Sequence, residues 1–462
     1  MIRDFSSETL DMKLSSMGAL ALSVIFLSLG TAPAQFVNGG FESGPANSAP
    51  PAPWIITTYT NSTGMSIVPP QTEDQLQLSA GGVAKTIILS NAITLSQPDA
   101  DLGAAATLRW PLFDRQSVVV NSQGINRNVN ALSQTIQIGP ECLDPLDGQL
   151  HVRFAFAPVM HDAGHPAQLS PYYFLQLSNV TRQTILYQSF AAVNQGGIPW
   201  RNATNGLGTT FVYTDWQLAD IVPGKGRLAL GDTVTLKILA AGCQSGGHYA
   251  EVYVDGVGGV PPCPFVTGTA MQMGTSSSVD IVYTLTYRNG STNAVSPVSV
   301  EFTTPAYTFF SSVNAPGLPV TTPAVGSTGT VTCTVGSLPA GAVGSFTVTV
   351  HTFFANSTIS FVANAYDIVS PVTGRLIGPP IVPIIRPFVL SGPTETGNPN
   401  LVFSFTNAPG VNFTVLTATN VALPITNWAA LGSPYETTTG VFRLSAPIPT
   451  NGAPSFYRLS SP

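Results

Sequence analysis

The sequence predicts an all-β protein built from more than one sandwich, and three observations carry that prediction. Apolar and polar residues alternate strictly in Asp280-Ile281-Val282-Tyr283-Thr284-Leu285-Thr286-Tyr287 and in Ser345-Phe346-Thr347-Val348-Thr349-Val350. A period of two in Val, Thr, Tyr and Phe marks strands with one face buried. Charged residues make up only 9 % of the chain, while Gly (43) and Pro (39) are abundant, and mean hydropathy is +0.25. Disorder needs low hydrophobicity and high charge; this composition instead suits sheets joined by many tight turns. No segment beyond the N-terminal leader shows the 3.6-residue period of an amphipathic helix. At 462 residues the chain has room for two to four domains.

Residues 1–34 read as a secretory signal peptide. Residues 17–29 (MGALALSVIFLSL) form an apolar stretch, and Ala32-Pro33-Ala34 supplies the small residues of a cleavage site. Asp4, Glu8 and Asp11 are wrong for the positive start of such a peptide, so translation from Met12 is an alternative. No later apolar run is long enough to span a bilayer. Net charge is −6, and only Lys85, Lys225 and Lys237 remain as lysines after residue 34. Nucleic-acid binding, which rests on neutralising phosphates with clustered Lys and Arg, is excluded.

The first domain is expected over residues 35–260. Strand candidates are residues 149–157 (QLHVRFAFA), 172–177, 184–190, 210–216, 231–238 and 247–257. In the first of these, His151 and Arg153 alternate with Val152, Phe154 and Phe156, as a strand with one solvated face would. The opening "NGGFESG" and the later "VYVDGV" resemble the first and last strands of carbohydrate-binding-module-like jelly rolls, which lie side by side. The region is longer than such modules, which suggests an insertion over residues 100–148.

Val260-Pro261-Pro262-Cys263-Pro264 reads as a hinge into a second domain over residues 264–375. Asn289-Gly290 is turn chemistry, because both residues tolerate positive φ. The pieces "YTLTYRNG", "V..E.TTPAYTFFSS", "VGSLPAGAVGSFTVTV" and "ANAYD" occur here in order. They resemble the conserved repeat domain of bacterial surface and cell-wall proteins, an immunoglobulin-like sandwich. The family has no catalytic residues to carry over, so the resemblance implies a structural role at the bacterial cell surface or beyond it.

Residues 376–387 (LIGPPIVPIIRP) read as a stiff Pro-rich linker, since proline breaks helices and central strands. Residues 388–462 form a third β unit. Its "ATN......NW..LG....TTG.FRL.......FYRL" is similar to a short module at the C-terminus of secreted bacterial proteins.

Motifs of chemistry are sparse. No G-x-S-x-G elbow, G-x-G-x-x-G turn or phosphate-binding loop occurs. His161-Asp162-Ala163-Gly164-His165 is the sole histidine pair at ligand-like spacing, but Gly164 and Pro166 make it a loop rather than a metal-binding helix face. It reads as a solvated loop, with a zinc site the minor alternative. His248, in a Gly-Gly-His turn, reads as structural. Cys142, Cys243, Cys263 and Cys333 lack C-x-x-C spacing and fit an exported protein with up to two disulfides. Of the three connectivities, Cys142–Cys243 is expected because both fall in the first domain.

The jelly-roll resemblance implies a structural calcium held by Glu42 and Asp255 with Asn38 nearby, hard oxygens being what Ca²⁺ demands. Where relatives carry a second acid, this chain has Asp255-Gly256, and Glu42 capping a turn is the other reading. Sugar binding would use aromatic faces. Trp200, in a loop-like segment, leads the candidates, followed by Tyr172, Tyr173 and Trp54; core packing is the competing reading for each.

The leading function is therefore a secreted, non-catalytic surface protein that binds glycans or cell-surface components through residues 35–260. A polysaccharide-active enzyme in that region is the alternative, with Glu251 the best placed of the seven glutamates that follow residue 34. A purely structural surface-layer or matrix component is the third reading.

Overall fold

The computed structural model describes residues 36–383 and 400–460, apart from residues 163, 194, 225, 274–277, 354–362, 364, 407–412, 422, 424–426, 439–440 and 448–454. The expected leader, residues 1–34, lies outside the described residues. The fold is all-β, as the alternation predicts. Among the described residues no helix is long and apolar enough to cross a membrane.

The first sandwich has two antiparallel layers. One sheet runs, in spatial order, Thr184–Ala192, Tyr172–Asn179, Thr233–Ala241, Asn128–Gln137, Ile55–Thr60 and Ser79–Ala80. The facing layer runs Trp216–Ile221, Val152–His161, Ala250–Gly258, Gln116–Val120 and Ile87–Ser90. Phe154, Phe156, Tyr173, Leu175, Leu236 and Val252 fill the space between them. The opening segment does lie beside Ala250–Gly258, but as a turn rather than a strand. The Val257 N–H donates to the Gly39 carbonyl at 2.9 Å. A Cβ on Gly39 would stand 1.8 Å from the Val257 oxygen, so only glycine permits that approach.

Residues 100–148 are not an insertion. Gln116–Val120 and Asn128–Gln137 are interior strands, one in each sheet. They escape pattern reading because their polar residues are buried and bonded. Asn128 Oδ1 accepts from the Val83 N–H, Asn130 Oδ1 from the Lys85 N–H, and Gln134 exchanges two bonds with the Val37 backbone. These side chains fasten the incoming chain across the sheet.

Arg153 does not face solvent either. Val152–His161 is buried on both faces. Ala155, Ala157 and Val159 point away from the first core into a second one, shared with Phe265, Tyr283, Val300 and Phe302. Small alanines there let the covering layer approach closely.

That covering layer includes the second sandwich. One of its sheets runs Pro264–Met273, Ser278–Asn289, Val343–Phe353 and Phe309–Asn314. The other runs Val320–Thr321, Thr330–Leu338, Val295–Thr303, Tyr366–Ser370 and Gly374–Ile377. Gly374–Ile377 also pairs in parallel with Trp216–Ile221, Trp216 opposite Leu376 and Gln217 opposite Ile377. One continuous sheet thus belongs to both sandwiches.

Two expectations about connectors are corrected by this pairing. Residues 376–387 are not a free linker from their start, because Leu376 and Ile377 complete a strand before the first proline. Ile381 is buried and bridges Ala363. Residues 384–387 lie outside the described residues. Residues 260–264 do not behave as an open hinge: Pro261, Cys263 and Pro264 are buried. A Cβ on Gly290 would stand 2.0 Å from the Pro261 oxygen, so this glycine lets the Asn-Gly turn seat against the connector.

Beyond residue 400, two three-stranded sheets, Asn400–Thr406 with Val441–Pro447 and Tyr435–Thr438, and Ala429–Gly432 with Thr414–Ala418 and Phe456–Ser460, enclose Phe405, Phe413 and Phe442. Residues 388–399 lie outside the described residues.

Candidate functional site

The residues with most chemical potential gather at one rim of the first sandwich. His161 ends Val152–His161, where its N–H donates to the Tyr249 carbonyl at 3.0 Å and its ring stacks on Phe211. The chain then turns through Asp162 and Gly164, whose φ of +60° favours glycine, and returns with His165. Cys243 follows Thr233–Ala241 in the opposite sheet. Its N–H donates to the His248 carbonyl at 2.8 Å, closing a loop that brings His248 back over the thiol.

Cys243 Sγ stands 3.5 Å from His248 Nδ1. That sulfur and one ring nitrogen each from His165 and His248 lie within 4.8 Å of one another. The His161 and His165 ring centroids are 4.4 and 5.1 Å from that of His248. Cys243 is buried, whereas the three histidines keep an edge toward solvent. Burial, followed by the neighbouring imidazole His248, pushes the His161 pKa down; burial and then His165 do the same to His248. Both shifts favour the neutral ring.

Cysteine use is thereby corrected. All four cysteines are buried, and no disulfide joins them. Thr233–Ala241 and Asn128–Gln137 run antiparallel, with Ala241 opposite Val129 and Thr233 opposite Gln137. Cys243 follows the first strand at one end, and Cys142 follows the second at the other, on the order of 25 Å away at strand rise. A disulfide needs Cα atoms within about 7 Å. The spacing of Cys243 and His248 and the 161/165 pair were both visible in sequence; that they meet was not.

A second cluster is mostly interior, with Asp101 half-buried at its edge. Asp99 Oδ1 accepts the Asp101 and Leu102 N–H groups, and its Oδ2 accepts the Tyr253 hydroxyl at 2.8 Å. Asp101 Oδ2 accepts from the Tyr249 hydroxyl and from Gln123 Nε2, and Glu251 Oε2 from the Gln123 N–H. Burial, then the charge of Asp99 and a side-chain hydrogen bond with it, pushes the Glu251 pKa well up and favours the protonated carboxyl. Both carboxyls are buried beneath the two tyrosines. The best-placed glutamate of the enzyme reading thus holds the 99–102 turn to the sheet and faces no cleft.

A pH dependence follows from that burial. With its folded pKa raised, Glu251 keeps its proton where the unfolded chain, with the ordinary value of 4.5, has lost it. Stability therefore falls as pH rises from about 4.5 toward the folded pKa. Glu251→Gln keeps a donor toward Asp99 and should flatten that slope in urea denaturation measured from pH 4 to 8. An unchanged slope would assign the titration elsewhere.

Glu42 and Asp255 both clamp the 112–116 segment. Glu42 Oε1 accepts from the N–H groups of Arg115 and Gln116 at 3.0 and 2.7 Å. Asp255 Oδ2 accepts from Leu112 and Phe113 at 3.1 and 2.9 Å, and its Oδ1 from Gly256 at 2.8 Å. Asn38 closes its own turn on the Ser43 backbone. Three of the four carboxylate oxygens are thus committed to N–H donors. Calcium takes about 6–8 oxygen ligands, and these residues fit loop anchors better than an ion cage. Beside them Glu42, Ala92, Ile93, Thr94, Asp114 and Arg115 line an open hollow of about 570 Å³ without an aromatic platform.

Three of the four aromatic candidates are corrected as well. Trp54, Tyr172 and Tyr173 are 4 %, 0 % and 1 % exposed, so none offers a face to a sugar. Trp54 packs on Phe36 and Phe41, and Tyr173 on Phe156. Trp200 is half-buried against the first core, and its Nε1 donates to the Gln195 carbonyl at 2.9 Å.

No family model and no curated protein matches the chain. Among solved structures it is similar to a beta-glucuronidase from glycoside hydrolase family 2, with TM-score 0.18 and 10 % identity over 75 % of this chain and 32 % of that one. It is also similar to a beta-1,2-glucanase from Parabacteroides distasonis, with TM-score 0.19 and 9 % identity over 72 % of this chain and 37 % of that one. The chain spans about a third of the length of either, and a likeness this slight carries no activity across.

Proposed function

We propose that this chain is a secreted, non-catalytic structural protein of the bacterial surface or matrix, in which the first two sandwiches act as one stiff body. The parallel pairing of Trp216–Ile221 with Gly374–Ile377 carries this reading, because it turns what would be a flexible bead-and-hinge chain into one sheet with a shared core. Domains joined only by a short connector are expected to move relative to each other; a large apolar contact removes that freedom. The burial of Trp54, Tyr172 and Tyr173 favours this reading over adhesion through a sugar-stacking face.

Limited proteolysis of the full chain tests the stiffness. Residues 259–264 should resist cleavage under conditions that cut exposed loops, and rapid cutting there would count against a fused body. A glycan array probed with the same protein separates the readings. Absence of binding is expected, and selective capture of one glycan class would restore the adhesion reading.

A further inference from the structure

We propose that the rim cluster is a zinc site, with Cys243 Sγ and one ring nitrogen each of His165 and His248 as ligands and the His161 ring as its wall. The donor set selects the ion: a thiolate with imidazoles suits zinc and its transition-metal neighbours and discriminates against calcium and magnesium. The spacing fits as well. A tetrahedral ion with Zn–S near 2.3 Å and Zn–N near 2.0–2.1 Å places sulfur and nitrogen about 3.5 Å apart, and Cys243 Sγ lies 3.5 Å from His248 Nδ1.

A second observation points the same way. His165 Nε2 is buried and accepts or donates no hydrogen bond. A shielded nitrogen without a partner is costly, and a metal bond would satisfy it. The half-buried histidines leave an entry path, while Cys243 closes the floor.

The site has a structural consequence. His248 precedes Ala250–Gly258 in one sheet of the first sandwich, and Cys243 follows Thr233–Ala241 in the other. An ion held among these residues would clip the two layers together at an otherwise open rim, which complements the stiffness proposed above but does not depend on it.

The test uses the full chain, stripped with a chelator and titrated separately with Zn²⁺ and Co²⁺. About one zinc per chain is expected, with a rise in melting temperature. The cobalt form should show tetrahedral visible bands and a thiolate-to-cobalt charge-transfer band. Cys243→Ser should abolish the charge-transfer band. His165→Gln, in a surface loop outside the core, should weaken zinc binding by about a hundredfold or more while the far-ultraviolet spectrum stays unchanged. Substoichiometric binding, a wild-type cobalt complex with no thiolate band, or an unchanged affinity in His165→Gln would each overturn the proposal.

Discussion

Asp144→Ala should destabilise the protein by about 3–5 kcal/mol, the cost of removing one partner from a buried ion pair. Asp144 is buried in a turn of the first sandwich, between two arginines. Arg153 Nη2, from the same sandwich, lies 2.7 Å from Oδ2, and Arg288 Nη1, from the second, lies 2.8 Å from Oδ1. Both guanidiniums also sit over the Phe265 ring, 5.6 and 5.9 Å from its centroid. Without the carboxylate two positive charges would face each other in the junction. Asp220 would still lie 3.0 Å from Arg153 Nε, but Arg288 would lose the carboxylate that its Nη1 bonds.

The same carboxylate gives the effect a pH signature. Burial works to raise its pKa, but the Leu146 N–H and the two guanidiniums outweigh that and hold it at about 2, below the ordinary 3.8. A depressed folded pKa means the contribution is complete above the unfolded value and is lost as pH falls from about 4 through 2. Urea denaturation should therefore show the wild type and Asp144→Ala converging in acid. A loss under 1 kcal/mol at pH 7, or a difference that does not shrink in acid, would refute the clamp.

Trp216→Ala should cost a similar amount, about 3–5 kcal/mol for a buried tryptophan. Trp216 is where the two sandwiches share a sheet: it pairs with Leu376 on one side, and its Nε1 donates to the Arg109 carbonyl at 2.7 Å. Its ring meets Tyr253 edge-on. Truncation leaves a cavity where the 102–113 segment, the first sandwich and Gly374–Ile377 meet. Trp216→Phe, which keeps most of the volume and loses the indole bond, should cost only about 1–2 kcal/mol. Guanidinium unfolding followed by circular dichroism reads both. If the alanine variant also splits one transition into two, the residue couples the sandwiches; equal losses in both variants would assign the effect to the hydrogen bond rather than to packing.

Much of the architecture was readable from residue order. The alternation in residues 280–287 and 345–350 places Ser278–Asn289 and Val343–Phe353, because a half-buried strand writes its burial into every second residue. In the first sandwich Val152–His161, Tyr172–Asn179, Thr184–Ala192, Thr233–Ala241 and Ala250–Gly258 were legible from residue order as well. Asn128–Gln137 was not, since Asn128, Asn130 and Gln134 are polar yet interior, satisfied by backbone more than forty residues away in sequence. Arg153 misled for the same reason: a charge on a strand normally marks the wet face, and here Asp144 and Asp220 stand in for water.

Composition and local alternation by themselves determined that this is a turn-rich, all-β chain without clustered basic residues or a nucleophile motif. Those properties are local, and a strand's own residues record which face is dry. Tertiary structure alone decided what the polar residues do. Cys243 left its expected disulfide to join His165 and His248, Glu251 became a protonated brace, and Glu42 and Asp255 became loop anchors. Each role depends on partners brought together by sheet order and strand ends, and no spacing along the chain encodes which ends of two distant strands will meet.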